Sequence, residues 1–134
     1  MHHATLYGPI ADDHLRQPRN LGALPGADGV GTVEARATDT LLTLSLALAT
    51  DQDGRRVVQT ARFRAFGCGG CIVAGSILTV MVTGLPLDQA RRLTADAIHD
   101  ALADGLPTEQ RYCAELAAEA LRLALAAATA PLTL

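Results

Sequence analysis

The sequence predicts an α+β fold, in which a three-stranded antiparallel sheet is covered on one face by helices. Three strand-like runs, over 30–38, 41–49 and 57–66, are joined by short connections. Helix-like segments make up the chain that follows them. Runs of strands followed by runs of helices are typical of α+β domains, and short connections favour antiparallel neighbours. With 134 residues, the chain is expected to form one domain over 1–134.

The strand-like runs also predict which face of the sheet is buried. The middle run alternates most cleanly and places Leu42, Leu44, Leu46 and Leu48 on one face. A turn signal ending in Asp-Gly at 51–54 predicts a hairpin to the third run. The third run alternates as two sets that we expect on opposite faces: Val58, Thr60, Arg62 and Arg64, and Val57, Ala61, Phe63 and Ala65. The apolar face of such a sheet needs a cover.

Along the chain, helices are expected both before and after the strands. Apolar spacing over 4–17 predicts a short helix that begins near Pro9 and stops before Pro18, because a residue preceding proline avoids the α region. His14 is expected on a half-exposed face of that helix, with a ligand or base role as the less favoured alternative. Thr94 is expected to cap one of the later helices. These later helices are predicted at 72–82, 87–93, 94–102 and 109–128.

Composition and charge exclude several classes of function. The net charge is −3 and the arginines are scattered, so no nucleic acid is expected as a partner. No window reaches the roughly 20 apolar residues that span a bilayer, so no membrane is expected either. The N-terminus lacks the charged and apolar regions of a signal peptide. Three cysteines do not resemble a secreted disulfide framework, which makes the cytoplasm the expected compartment.

The chemistry is expected around the segment 65–76. It holds Cys68 and Cys71 between glycines, directly before an apolar run of helical length. A helix that starts there points its free N–H groups at the thiols, which favours thiolates or an anionic metal–sulfur group. Cys113, near the start of the last helix, and Asp39, in the turn between the first two strands, are the further candidate ligands. The plainer alternatives are a small buried hydrophobe for Cys113 and turn chemistry for Asp39.

Four segments resemble a known family. Residues 13–22, 61–69, 84–90 and 113–117 are similar, in order and spacing, to motifs of the U-type iron–sulfur cluster assembly scaffolds, the IscU and NifU N-terminal family. The resemblance extends over nearly the whole chain. It implies a three-stranded antiparallel sheet packed against a helical layer, and a scaffold rather than an enzyme.

The chain departs from the family's pattern at its ligand positions. The first of the family's three cysteines corresponds to Ala37, two residues before the family's aspartate, which is retained as Asp39. The histidine that precedes the last cysteine is Tyr112, and the chaperone-binding segment survives only in part at 106–110. In return the chain gains Cys71. We therefore expect that Cys71 compensates for the cysteine that is missing at Ala37.

The leading hypothesis is a scaffold or carrier for an iron–sulfur cluster, most simply [2Fe-2S]. Cys68, Cys71 and Cys113 would supply thiolates to the cluster or to iron, with Asp39 or an outside group as the fourth ligand. The resemblance also implies a cysteine desulfurase as the sulfur donor and apo iron–sulfur proteins as recipients. A homo-oligomer is compatible with the sequence, and the partial loss of the chaperone segment puts chaperone-driven transfer in doubt.

Three alternatives stay open from the sequence. The same ligands suit a zinc site, because cysteine-rich tetrahedral sites bind zinc readily. Cys68 and Cys71 also suit a dithiol redox or sulfur-relay protein, although the motif follows the third strand of a meander rather than the first strand of a βαβ unit. The last alternative is a diverged member that keeps the fold and no longer binds a cluster.

Overall fold

The predicted sheet is present in the structure, a computed structural model that describes residues 7–103 and 105–130. Its three antiparallel strands lie in the order β1, β2, β3. Their bounds are Gly29–Ala35 for β1, Thr40–Thr50 for β2 and Arg56–Phe66 for β3. The expected fold class is confirmed.

The helices follow the predicted order, with two changes at their ends. They are α1 (Pro9–Arg16), α2 (Gly69–Val82), α3 (Leu87–Ala90), α4 (Ala95–Leu102) and α5 (Tyr112–Thr129), with 3₁₀ turns at Arg36–Thr38 and Thr108–Gln110. Thr94 caps α4 as predicted, because its hydroxyl accepts from the Ala97 N–H at 3.2 Å. The last helix was predicted from 109, but the 3₁₀ turn after Pro107 delays its start to Tyr112. The short helix predicted over 87–93 ends at Ala90, and residues 4–6 of the first predicted helix lie outside the described residues.

A bulge in β3 changes which residues of that strand are buried. Leu42, Leu44 and Leu46 are buried as expected. Ala47 pairs with Thr60 whereas Leu48 pairs with Val58, so β3 contains one extra residue at this point. An extra residue reverses the alternation of faces. The prediction that Val58 shares a face with Thr60 is therefore wrong, because Val58 is buried together with Ala61 and Phe63.

Helices α2 and α5 form the cover of the sheet. Helix α2 packs on β3, α5 packs on β1 and β2, and the two helices also touch each other. Glycines permit this close packing: a Cβ at Gly29 or Gly31 would collide with the backbone of α5, and one at Gly75 would collide with the ring of Phe63. No described helix is both long and apolar enough to span a bilayer.

A polar contact network fixes α1 and the turn after it against α2. His14 Nδ1 lies 2.7 Å from Ser76 Oγ, which also accepts from the Arg19 N–H at 2.9 Å. Asn20 Nδ2 donates to Thr79 Oγ1 at 3.0 Å. The expectation that His14 is half exposed is wrong, because only 6% of it is accessible. Its contact with Ser76 gives this histidine a place in the packing of α1 on α2.

Candidate metal centre

Three thiols converge where α2 and α5 begin. The sulfurs of Cys68, Cys71 and Cys113 all lie within 4.8 Å of one another. Cys68 Sγ and Cys113 Sγ are 3.1 Å apart, although 45 positions separate the two residues in the chain. Cys71 and Cys113 are 0% exposed, whereas Cys68 is half-buried. The site is therefore open to solvent on the side of Cys68.

Local backbone geometry explains why each sulfur points into this site. Cys68 is the extended N-cap residue of α2, and Cys71 follows within the first turn, where its N–H donates to the Cys68 carbonyl at 3.1 Å. Gly67 makes the bend before α2 at φ +121°, a conformation that side chains disfavour. Cys113 is the second residue of α5. Two helix N-termini, with their positive dipole ends, therefore lie next to the sulfurs.

Gly70 allows the two helix starts to approach each other. A Cβ on Gly70 would lie 2.7 Å from Gln110 Oε1 and 3.1 Å from Cys113 Sγ. Gln110 in turn accepts from the Tyr7 hydroxyl at 2.7 Å. The absence of a side chain at position 70 therefore sets the spacing between the thiols of α2 and the thiol of α5.

Polar side chains from distant parts of the chain surround the thiols. The Tyr112 hydroxyl lies 3.4 Å from Cys68 Sγ and 3.2 Å from Thr40 Oγ1. In the sequence, Tyr112 is notable only as a departure from a family pattern, and nothing there assigns Tyr7, Thr40 or Gln110 to the site. Gln110 and Tyr112 could have been found from their position next to Cys113. No local signal identifies Tyr7 or Thr40, because their contacts join residues 103 and 72 positions apart.

The contacts among these groups shift their protonation. The neighbouring Cys71 side chain, followed by burial, raises the pKa of Cys113 well above its usual range, and the contacts with Cys68 and Tyr112 oppose this only in part. The contact with Cys68 raises the pKa of Tyr112. The start of α2 was expected to favour thiolates at Cys68 and Cys71, whereas the raised pKa of Cys113 favours its protonated thiol form. Binding a metal cation would release this proton.

Asp39 lies outside this group of sulfurs. Among the described cysteine, histidine and acidic residues, the ligand group that converges here consists of the three cysteines. Asp39 is exposed and left-handed at φ +52°, at the end of the 3₁₀ turn that also contains Ala37. It borders a surface depression together with Thr40 and Phe66. The structure thus brings together three of the four ligands that the sequence suggested.

The sulfur arrangement fits metal coordination. Metal–sulfur bonds of about 2.3 Å in tetrahedral geometry place two thiolates about 3.8 Å apart. The three sulfurs, all within 4.8 Å of one another, need only small adjustments to reach that spacing. Thiolates are ligands for zinc and for iron–sulfur clusters. The arrangement supplies three ligands and leaves a fourth position for another group.

An α+β domain with three thiols between two helix starts has the features of a metal-binding or cluster-binding protein. The chain belongs to the family of NifU-like N-terminal domains, whose model matches residues 6–130. It is 37% identical over 120 residues to the iron–sulfur cluster assembly scaffold protein IscU 1 of Archaeoglobus fulgidus, a match that covers 90% of this chain and 74% of that one. The iron–sulfur cluster assembly scaffold protein IscU of Aquifex aeolicus is 36% identical over 113 residues. That match covers 84% of this chain and 69% of the Aquifex protein.

Solved structures support the same fold. A protein of Fervidobacterium islandicum, assigned as an iron–sulfur cluster assembly scaffold for the SUF system, superposes with a TM-score of 0.63 at 15% identity. The superposition covers 90% of this chain and 96% of that one. The predicted family resemblance is confirmed, and the relatives described here are named as scaffolds rather than as enzymes.

Proposed function

We propose that this protein is a scaffold or carrier on which an iron–sulfur cluster, most simply [2Fe-2S], is assembled and then passed on. The observation that supports it is the convergence of Cys68, Cys71 and Cys113 within 4.8 Å at two helix starts. The cluster is the cargo of such a protein, and the sulfurs are the groups that hold it. Membership of a family that includes named scaffolds agrees with this role.

Cys71 takes over the part of the cysteine that is missing at Ala37. Ala37 lies exposed in the 3₁₀ turn before β2, whereas Cys71 is fully buried within the sulfur group. The fourth ligand is Asp39 or a group from outside the chain. A weak or external fourth ligand suits a carrier, because it leaves one position where a recipient can begin to take the cluster.

The proposed partners follow from this cargo. A cysteine desulfurase supplies sulfur, and apo iron–sulfur proteins receive the finished cluster. Cys68 is the accessible sulfur, and Phe66, which is 62% exposed, lies two residues before it. Any exchange with a partner is therefore expected on this side of the site. We propose the cytoplasm as the compartment in which it takes place.

Anaerobic reconstitution tests the function directly. The metal-free protein is incubated with ferrous iron and sulfide, and bound iron, bound sulfide and the visible absorption of the cluster are measured. The wild-type protein is expected to load a cluster. Cys71→Ala is expected to load at least about ten-fold less, because even changes to residues that support metal ligands lower metal affinity 10–100-fold. Val80→Ala, on the exposed side of α2, is the control.

Two results would count against the proposal in different ways. If the wild-type protein takes up no cluster, the scaffold function is wrong. If Cys71→Ala loads as well as the wild-type protein, the scaffold function stands and the compensation by Cys71 is wrong. Circular dichroism of each variant separates lost ligation from lost folding.

Zinc is the second candidate occupant, since the sulfur spacing also suits one tetrahedral ion. If zinc is the natural occupant, the isolated protein would be colourless. It would contain one zinc per chain after exposure to zinc and iron together, and it would not exchange this zinc for a cluster. Measurement of both metals after competition distinguishes this role from the scaffold role.

A further inference from the structure

A cleft lies between the end of α3 and the middle of α5, and we call it the α3–α5 cleft. Its volume is about 240 Å³. Its apolar lining consists of Ala90, Leu93, Ala118, Leu121, Leu125 and Ala126. The charged residues in the lining are Arg91 and Arg122, both of them exposed to solvent. None of the three thiols lines this cleft, so the role proposed for the sulfurs does not account for it.

The rim of the cleft carries positive charge that is only partly neutralised. Arg122 forms an ion pair with Glu119, which lies three residues earlier on α5. Arg91 has no ion pair and no side-chain hydrogen bond within residues 7–103 and 105–130. Glu115 and Glu119 border an adjoining depression rather than the cleft itself. The cleft therefore combines an apolar lining with an unpaired cation at its edge.

We propose that the α3–α5 cleft binds a medium-chain carboxylate, with the carboxylate group at Arg91 and the alkyl chain on the apolar lining. Sites for small ligands are typically concave and apolar, with a few polar groups that fix the orientation of the ligand. An apolar cavity of about 150 Å³ holds benzene, so a cleft of about 240 Å³ holds about ten non-hydrogen atoms. Octanoate is of this size. The inference adds a second ligand to the protein and does not depend on the scaffold function.

The arginine side chains select an anionic head group. A guanidinium group can donate two parallel N–H bonds to one carboxylate, which adds specificity as well as binding energy. The backbone of Arg91 is fixed where α3 ends, because its N–H donates to the Leu87 carbonyl at 2.9 Å. Both arginines would repel a cationic head group on the same alkyl chain. The site should therefore distinguish ligands by head group as well as by chain length.

Isothermal titration calorimetry of the full chain with octanoate tests the inference. We expect one site per chain and a dissociation constant below about 1 mM. Hexanoate should bind about ten-fold more weakly, because it buries two fewer methylene groups. Octylammonium has the same alkyl chain and a cationic head group, and it should show no saturable binding. Added salt should weaken the binding of octanoate, because the ion pair is exposed.

Two matched pairs of variants locate the site. Ala126→Trp places an indole ring in the cleft and should abolish binding, whereas Ala127→Trp, at an exposed position outside the lining, should bind like the wild-type protein. Arg91→Gln should weaken octanoate binding about three- to five-fold, as expected for an exposed ion pair. Arg92→Gln changes the next exposed arginine, which does not line the cleft, and is its control. Circular dichroism verifies that each variant is folded.

Four outcomes would overturn the inference. Two need no variant: the absence of saturable octanoate binding below about 1 mM, and equal binding of octanoate and octylammonium. The others are wild-type affinity in Ala126→Trp and equal losses in Arg91→Gln and Arg92→Gln, since either would place the ligand elsewhere on the molecule. Cluster loading is measured separately and does not involve the cleft. A failure here therefore leaves the scaffold function intact.

Discussion

Helix α2 takes part in two groups of polar side chains, one shared with α1 and one shared with α5, that use their hydrogen-bonding capacity differently. On the side of α1, Ser76 Oγ contacts His14 Nδ1 and accepts from the Arg19 N–H. Thr79 Oγ1 accepts from the Asn20 side-chain amide. At the start of the helix, the sulfurs of the metal centre mainly contact one another. The first group forms the seam, that is, the contact between α2 and α1 with the turn after it. The second brings three potential anions together, an arrangement that is stable with a cation between them.

The largest difference between variants of the two groups is expected in cluster loading. Cys113→Ala removes one of three converging ligands, so bound iron after anaerobic reconstitution should fall by at least about ten-fold. Ser76→Ala should load like the wild-type protein, because Ser76 belongs to the other group. Comparable losses in both variants would mean that loading depends on the general integrity of α2 rather than on the sulfurs.

Loss of the contacts between α1 and α2 should lower the stability of the protein. Ser76→Ala leaves the Arg19 N–H and His14 without their shared partner in a buried seam, so the free energy of unfolding should fall by about 1–3 kcal/mol. Urea unfolding followed by circular dichroism measures this loss. Thr43→Ala, on the outer face of β2, removes only an exposed contact with Thr32 and serves as the control. An unchanged unfolding midpoint in Ser76→Ala would show that the seam contributes nothing to stability.

Gly70→Ala should weaken the metal centre through packing alone. The added methyl group would press on Gln110 and Cys113, so we expect a loss of about 1 kcal/mol and weaker cluster loading although every ligand is retained. Thermal unfolding and bound iron are both measured, with Val80→Ala on the same helix for comparison. Unchanged loading would mean that the start of α5 can shift without loss of ligand geometry.

The smallest expected effect is a pH dependence of stability that comes from His14 in the seam between α1 and α2. Burial, and after it the Arg19 guanidinium, lowers the pKa of His14 in the folded protein. The unfolded chain therefore binds a proton first, below about pH 6.5. The contribution of His14 to stability is complete above that pH and is lost as the pH falls through the lowered folded-state value. In His14→Gln the free energy of unfolding should fall less over this range, and identical pH profiles of the two proteins would contradict the assignment.

The sequence predicts local features of this molecule better than contacts across the chain. The leucine alternation of β2 and the apolar run of α2 identify the sheet and its cover, because each depends on neighbouring residues. The reversal at Val58 escapes this reasoning, since the bulge is visible only in the pairing with β2. The late start of α5 depends on a 3₁₀ turn whose composition also suits a helix.

The same limit applies to the candidate site. The spacing of Cys68 and Cys71 and the position of Cys113 near a helix start are local, and from them the sulfur group was anticipated. The partners of Tyr7 and His14 lie 103 and 62 positions away, so only tertiary packing reveals them. Asp39 was suggested by its place in the turn between the first two strands and then by the family resemblance, and its role as a ligand stays a prediction.

The close packing of α5 on Gly29 and Gly31 has a consequence for the order in which the protein matures. Cys113 reaches the other thiols only when α5 has docked on β1, and α5 is the last described element to leave the ribosome. A nascent chain that ends before α5 presents two thiols and no third. Metal or sulfur captured at that time would meet an incomplete set of ligands, so loading is expected to follow the synthesis and docking of α5.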